Sequence, residues 1–342
     1  MKFGSFPIAE SEGVLLAQAI RRPGLSLRKG ESIGAVEIAA LEAAHIGEIV
    51  AARMEPGEVD ENTAALSLAR AAAGANLHIA ETATGRCNLI AGCAGLLVVN
   101  VAAIDRVNMV DEAITIATLP PFRRVAAEDM VATVKIIPFA VNAAALDHAR
   151  LIAAEGLLRI APFRPLRLGV VSTLLPDSKP SIVGKALRTL ADRLMLTRSM
   201  IAIDECTPHA AGPLASALQR IAELCDVIVI FGGCAITDRR DIVPSAIGMA
   251  GGRIEHFGMP VEPGNLLLLG SLPDGDKVKP VIGAPGCARS PKKNGFDFVL
   301  DRILAGLPVG SREIRRMGVG GLLIETATHV QAEAVPREVA VE

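Results

Sequence analysis

Residues 227–247 read VIVIFGGCAITDRRDIVPSAI. A run of β-branched and aromatic residues ends on Gly232 and Gly233. A charged loop follows, and an apolar-periodic segment begins at Asp241. The run predicts a strand over 226–232, and the periodicity predicts a helix over 241–250. The pattern repeats upstream. Strands are expected over 167–172 and 199–204, and helices over 185–196 and 212–224, the latter with Pro213 suited to its first turn. Downstream, shorter strands are expected within RIEHFGM (253–259), NLLLLGSL (265–272) and KPVIGAPG (279–286). A last helix over 296–307 stops before Pro308. Strands and helices alternating at this spacing predict an α/β unit with a mostly parallel sheet covered on both faces.

The first half has a different texture. It mixes short strands and helices without a βαβ rhythm, which predicts a mixed α+β region. Helices are expected over 35–44, within GEVDENTAALSLARAAAG (57–74) and within NAAALDHARLIAAEG (142–156). A strand is expected over 48–53, and DMVATVKIIPFAV (129–141) is β-rich up to Pro138. The stretch LIAGCAGLLVVNVAAI (89–104) is too short to span a bilayer comfortably and reads as a buried helix–strand pair. Two prolines in APFRPLR (161–167) mark the boundary. The expected organisation is a mixed α+β region over 1–163, an α/β domain over 164–310, and a C-terminal extension over 311–342 that is partly frayed, with the polar tail HVQAEAVPREVAVE.

Bulk chemistry narrows the function. The 342 residues carry 35 basic and 37 acidic side chains, a formal net charge of −2, which argues against a general nucleic-acid binder. With no Trp, no Tyr and nine Phe, base-stacking platforms are not expected. A mean hydropathy of +0.41 fits a chain with a large core. MKFGSFPIAESEG at the start has no apolar signal-peptide core, and no membrane association is expected. The six cysteines form no CxxC pair, so free thiols in a cytoplasmic protein are expected.

In open α/β sheets ligands bind at the carboxyl ends of the strands. Three loops fall there. STLLPDSKPSIVGK (172–185) leaves the first strand with Ser172 and Thr173. In the second loop, Gly232 and Gly233 allow close backbone approach to a phosphate, Thr237 adds a hydroxyl, and Arg239 and Arg240 add charge-assisted donors. Asp241 is placed either to cap the next helix or to hold a hydrated Mg²⁺. In the third, GAPGCARSPKKNG (283–295), Pro285 and Gly286 precede Ser290, Lys292 and Lys293, which suits an anion or a plain solvated basic loop. The Walker A spacing is absent.

These residues resemble a known family. GGCAITDRRDIVPSAI (232–247) is similar to the GG-T-G…RD-V-T-P-E-A signature of molybdopterin adenylyltransferases and to the GG-V-S-V-G-x-x-D loop of molybdopterin molybdenumtransferases. GGRIEHFGMPVEPGNLLLLG (251–270), VIGAPGCARS (281–290) and RLGVVST (167–173) resemble, in order, three further segments of the latter. The resemblance covers 167–307 and is to the molybdopterin-binding (MoaB/Mog-like) domain; the whole chain is also similar to the N-terminal module of molybdenum-cofactor nucleotidyltransferase fusions. It implies a three-layer αβα domain that binds molybdopterin or the molybdenum cofactor, gripping its phosphate with glycine-rich loops.

What else the resemblance implies is less uniform. Gly232, Gly233 and Asp241 would face phosphate or metal, and Pro285 and Gly286 would line the pterin or phosphate edge. ATP, Mg²⁺ and molybdate would be co-substrates of the catalytic members. A homo-oligomer, and a molybdoenzyme or nucleotidyltransferase partner, are also implied. The family's lysines are missing from the stretch that holds Val261 and Asn265, and its acidic S-T-G-D-E loop is STLLPDS, in which Asp177 is the one acidic residue. Lys292, Lys293 and Arg240 are the cations left to compensate.

Two functions stay open on the residues: an enzyme of cofactor maturation, resembling the molybdenumtransferase or the adenylyltransferase, with Asp241, Lys292 and Lys293 as catalytic candidates, or a carrier that binds and passes on the cofactor. His209 suits an acid/base or a solvated loop position. Asp111 and Glu112 suit a metal or, more simply, a helix start. Cys287 suits a dithiolene contact or a small neutral filler.

Overall fold

The computed structural model describes residues 1–179 and 181–323. The described residues form two compact units, the first of Met1–Pro165 with Leu194–Ser199 and Asp301–Leu307, the second of Leu166–Arg193, Met200–Leu300 and residues 308–323. The expected extension over 311–342 begins with a short helix, Ser311–Arg315, and from 324 lies outside the described residues. No helix among the described residues is long and apolar enough to cross a membrane.

The first unit is built from small antiparallel sheets and short helices. Its largest sheet orders Ile114–Thr118, Met130–Ile136, Arg86–Ala91 and Leu77–Ile79, all antiparallel. Cys87, Leu89 and Ala91 alternate inward, as a half-buried strand requires. They pack on Ala65, Leu68, Ala69 and Ala72 of the helix Glu61–Ala72. Asp60 starts that helix by accepting from the amides of Asn62 and Thr63, a cap that contributes about 1 kcal/mol.

Two local expectations need correction. Residues 89–104 do not form a helix–strand pair. They complete one strand, make a second, Gly95–Val99, and enter a helix only at Val101–Asn108. Gly92 turns the chain, the Leu-Leu-Val-Val run suits a strand, and the Asn100 side chain accepts from the Ala103 amide to open the helix. Asp111 and Glu112 do not start a helix either. They sit in the turn after Val101–Asn108, where the Asp111 carboxylate accepts from the Ala113 amide at 2.8 Å.

The second unit carries one six-stranded sheet. In chain order its elements are β1 (Arg167–Leu174), α1 (Ser181–Leu194), β2 (Met200–Pro208), α2 (Ala211–Ala222), β3 (Val227–Phe231), α3 (Ile242–Met249), β4 (Arg253–Phe257), β5 (Leu268–Asp274), β6 (Lys277–Ala284) and α4 (Gly295–Leu304). The strand order is β2-β1-β3-β6-β5-β4. The first three pairings are parallel, and β5 runs antiparallel to both neighbours. The sheet is thus mixed α/β and mostly parallel, as the alternation predicts.

All of β3 is buried. Val171, Ile228, Ile230 and Val281 pack with Leu214, Leu218 and Ile221 of α2 and Val243 and Ile247 of α3. Val170, Val229 and Ile282, on the other face, are equally inaccessible. Fully burying a side chain of this kind contributes about 1.5–3 kcal/mol, so the apolar runs that predict the strands also hold them.

The order of the strands positions a site. From β1 the chain moves to one side to form β2, then returns past β1 to form β3. The loops leaving β1 and β3 therefore flank a topological switch point, the place where open α/β sheets leave a crevice for ligands.

Candidate functional site

At the carboxyl ends of β1, β3 and β6 the three loops meet around a small pocket. Ser172 and Thr173 line it from β1, Ser178 from the loop after it, Phe231 and Gly233 from β3, and Arg289 from the loop after β6. Apolar side chains from the first turns of α1 close it. Its volume is about 50 Å³. Sites for whole small molecules run from roughly 300 Å³ upward, so the pocket has room for a compact polar headgroup and not for a fused ring.

Arg289 gives the pocket its charge. One guanidinium nitrogen donates to the Gly232 carbonyl at 2.7 Å, and the group lies 5.5 Å from the centre of the Phe231 ring. Among the described residues no carboxylate is paired with it, and burial alone pushes its pKa below the usual arginine value. A guanidinium stays charged even so. A half-buried cation that lines the same pocket as two serines and a threonine suits an anion. Sequence reasoning passed over Arg289 while naming Gly286 and Ser290 around it. Its signal was position: it is the first cation after the turn of the third loop.

Thr173 ties the first two loops together. Its hydroxyl accepts from the Gly233 amide at 2.8 Å and lies 2.7 Å from Nδ1 of His209. Gly232 and Gly233 are glycines for lack of space. A Cβ on Gly232 would meet the Cys234 carbonyl at 2.8 Å, and one on Gly233 would sit 3.2 Å from the Thr173 carbonyl and 3.3 Å from the His209 ring. The Gly233 amide therefore serves the loop–loop contact. His209, weighed from the sequence as a solvated loop residue, is half-buried and hydrogen-bonded.

The other candidates lie elsewhere. Asp241 is the N-cap of α3: one oxygen accepts from the Ile242 amide at 2.7 Å and the other from the Thr237 amide at 3.1 Å. Arg240 is exposed and bonded to Asp238 at 2.9 Å. That contact holds the Asp238 carboxyl below its ordinary range. Lys292 and Lys293 are exposed, Lys293 lying 5.0 Å from the centre of the Phe298 ring. Pro285 is buried, Gly286 is exposed, and the Ser290 hydroxyl accepts from the Lys292 amide at 3.3 Å. None of these lines the pocket. Among the described residues no group of three or more His, Cys, Asp or Glu side chains is arranged to hold a metal ion. Both Asp241 oxygens accept from backbone amides, as those of a helix cap do.

The third loop is held from beneath by a residue that sequence reasoning missed. Arg193, at the end of α1, is buried and meets the Asp297 carboxylate at 2.6 Å. It also donates to the carbonyls of Ala288 at 2.9 Å and Ser290 at 2.8 Å. Asn294 opens α4 by accepting from the Phe296 amide, and its side-chain nitrogen donates to the carbonyls of Cys287 and Lys292. Burial raises the Cys287 pKa, which keeps the group a thiol near neutral pH.

No family model matches the chain, and no curated protein does. Among solved structures, a molybdopterin biosynthesis moeA protein from Pyrococcus horikosii is 14% identical over 90% of this chain and 74% of its own, with a TM-score of 0.28. A molybdenum cofactor biosynthesis protein from Pyrococcus furiosus is 11% identical over 90% of this chain and 64% of its own, with a TM-score of 0.25. A second such moeA structure, from Pyrococcus horikoshii OT3, is 10% identical over 90% of this chain and 75% of its own, with a TM-score of 0.26. Scores of this size carry no weight for the fold or role of this chain, and the site has to speak through its own residues.

Proposed function

We propose that this chain binds molybdopterin, or the molybdenum cofactor, in cofactor biosynthesis or maturation, and that the Arg289 pocket takes the phosphate end of the ligand. The observation that supports this most is the uncompensated Arg289 guanidinium among the hydroxyls of Ser172, Thr173 and Ser178 at the switch point of the sheet. A dianionic phosphate supplies the missing counter-charge and accepts from all four groups. The ring system then lies outside the pocket, along the lip formed by Gly286 and the exposed part of the second loop. On this view 164–310 is a three-layer αβα molybdopterin-binding domain and 1–163 a separate mixed region.

Gripping without chemistry fits the geometry better than transfer does. Asp241 is spent on a helix cap and a loop amide, and Lys292 and Lys293 stand at the surface rather than in the pocket. The carrier role, delivering cofactor to a molybdoenzyme or a nucleotidyltransferase, needs only the grip. An adenylyl or molybdenum transfer would need Lys292 and Lys293 to fold inward over ATP–Mg²⁺ or molybdate, which would arrive as substrates.

The test is titration of the purified chain with molybdopterin, alone and with ATP–Mg²⁺ or molybdate, following binding and product together. Saturable binding with no adenylylated or molybdenum-loaded product is the expected result. Product formation would make the chain a transferase, and absence of binding would remove the proposal.

A further inference from the structure

Ser172 is 4% exposed, and its hydroxyl makes no hydrogen bond within the described residues. It alternates along β1 with Val171, which packs in the cluster that holds α2 and α3. The Ser172 side chain therefore points to the opposite face of the sheet, where Ile182, Val183 and Ala186 of α1 line the pocket with it. Its register partner on β3 is Phe231, and the Arg289 guanidinium lies 5.5 Å from the centre of that ring. A buried hydroxyl left without a partner is unfavourable, and an acceptor in the pocket relieves that.

Other donors line the same space. A guanidinium has five N–H groups, and the bond to the Gly232 carbonyl occupies one nitrogen of Arg289. The Ser178 hydroxyl accepts from the Leu175 amide at 2.9 Å, which leaves its own proton to give. Ile182 and Val183 belong to the first turn of α1, the end of a helix that favours negative charge. The volume of about 50 Å³ is less than two of the roughly 30 Å³ shares that water molecules take in the liquid.

We propose that this pocket selects a phosphate monoester and rejects a phosphate substituted on two oxygens, and that Ser172 is one of the groups that reads the terminal oxygens. This rests on the reading that the pocket holds the phosphate of the cofactor. A monoester has three terminal oxygens and carries about −1.5 to −2 charge near neutral pH. It enters with those oxygens leading and leaves its one ester oxygen at the mouth. A doubly substituted phosphate has two terminal oxygens and a single charge. Its second substituent has to share a space sized for one tetrahedral head, between apolar side chains of α1 that offer it no polar contact. Held further out instead, the phosphate leaves Ser172 again without an acceptor. The chain therefore acts on the ligand before its phosphate is extended. Nucleotidyl transfer, in which that phosphate attacks the α-phosphorus of a nucleoside triphosphate and pyrophosphate leaves, is then a reaction that follows release.

The test is calorimetry of the full chain with molybdopterin and with its adenylylated form, side by side at neutral pH. Molybdopterin is expected to bind at least about tenfold more tightly, the effect of one charge-assisted donor left unpaired. Ser172→Ala is expected to weaken molybdopterin by about tenfold and the adenylylated form by less than about threefold. Ile182→Ala, which widens the apolar wall, is expected to narrow the gap by strengthening the adenylylated form, a gain that lost stability does not produce. Unfolding curves on both variants separate binding from folding. Equal or tighter binding of the adenylylated form, with both ligands lost in Arg289→Ala, would overturn the selection and leave the pocket intact. Molybdopterin binding indifferent to Arg289→Ala, or none at all, would overturn the reading beneath it as well.

Discussion

Arg193 and Asp297 stand 104 residues apart in the chain and meet at 2.6 Å beneath the third loop. The arginine is almost fully buried, and its remaining donors hold the carbonyls of Ala288 and Ser290. The pair thus fixes the backbone on both sides of Arg289, the side chain that charges the pocket. Breaking it leaves one buried charge without its partner, at a cost of about 3–5 kcal/mol. Arg193→Ala is expected to lower the urea midpoint accordingly and to speed amide exchange at 286–294. An unchanged midpoint would show that the pair does not hold the loop.

Asp241 is read here as a cap. Asp241→Ala is expected to cost about 0.5–2 kcal/mol of stability and to change molybdopterin affinity by less than about threefold, or about 0.65 kcal/mol. Equilibrium unfolding and a binding isotherm on the same variant check both. A large loss of affinity at unchanged stability would return Asp241 to the binding site.

The core of the second unit is expected to respond to volume. Ile230 on β3 is inaccessible to solvent and packs in the cluster that includes Leu218 and Val243. Ile230→Ala is expected to cost about 2–5 kcal/mol, read from chemical unfolding of the full chain. A loss well under 1 kcal/mol would mean that the cluster collapses to fill the space.

One acid transition is expected near the foot of the sheet. Burial raises the pKa of Asp226, but the Arg167 amide at 2.8 Å and the Arg167 guanidinium outweigh it, and the carboxyl titrates below its ordinary 3.8. A depressed folded-state pKa contributes stability that is present above the unfolded value and is lost as pH falls through the folded one. The stability gap between the wild type and Asp226→Asn is therefore expected to be constant near neutral pH and to close as pH falls below about 4. A gap that persists in acid would contradict the assignment. Because the pair is partly exposed, the gap is expected to be small.

Much of the second unit was legible because its strands are short apolar runs bounded by glycine, proline and charge, and its helices repeat at 3.6 residues. The strand expected at 226–232 and the helix at 241–250 appear as β3 and α3, the latter beginning one residue later because Asp241 caps it. Residues 89–104 were misread because a continuous Leu/Ala/Val run has no period to separate strand from helix.

The site was legible only in its backbone positions. Ser172, Thr173 and Gly233 fall at strand ends, where the α/β rule places ligands, and all three line the pocket. Arg289, His209 and Arg193 act through partners 57, 36 and 104 residues away. Position in the third loop is a local cue for Arg289 alone; nothing local in the sequence distinguishes the other two from surface residues. Lys292 and Lys293 drew attention as a basic pair, yet they sit one turn beyond the arginine that faces inward.

The most direct test of the account is molybdopterin affinity measured on the wild type and on Arg289→Ala, with unfolding curves on both. The expected result is saturable binding that weakens at least tenfold in the variant, about 1.4 kcal/mol, at nearly unchanged stability. Equal affinity in the two proteins would contradict the claim that Arg289 holds the phosphate.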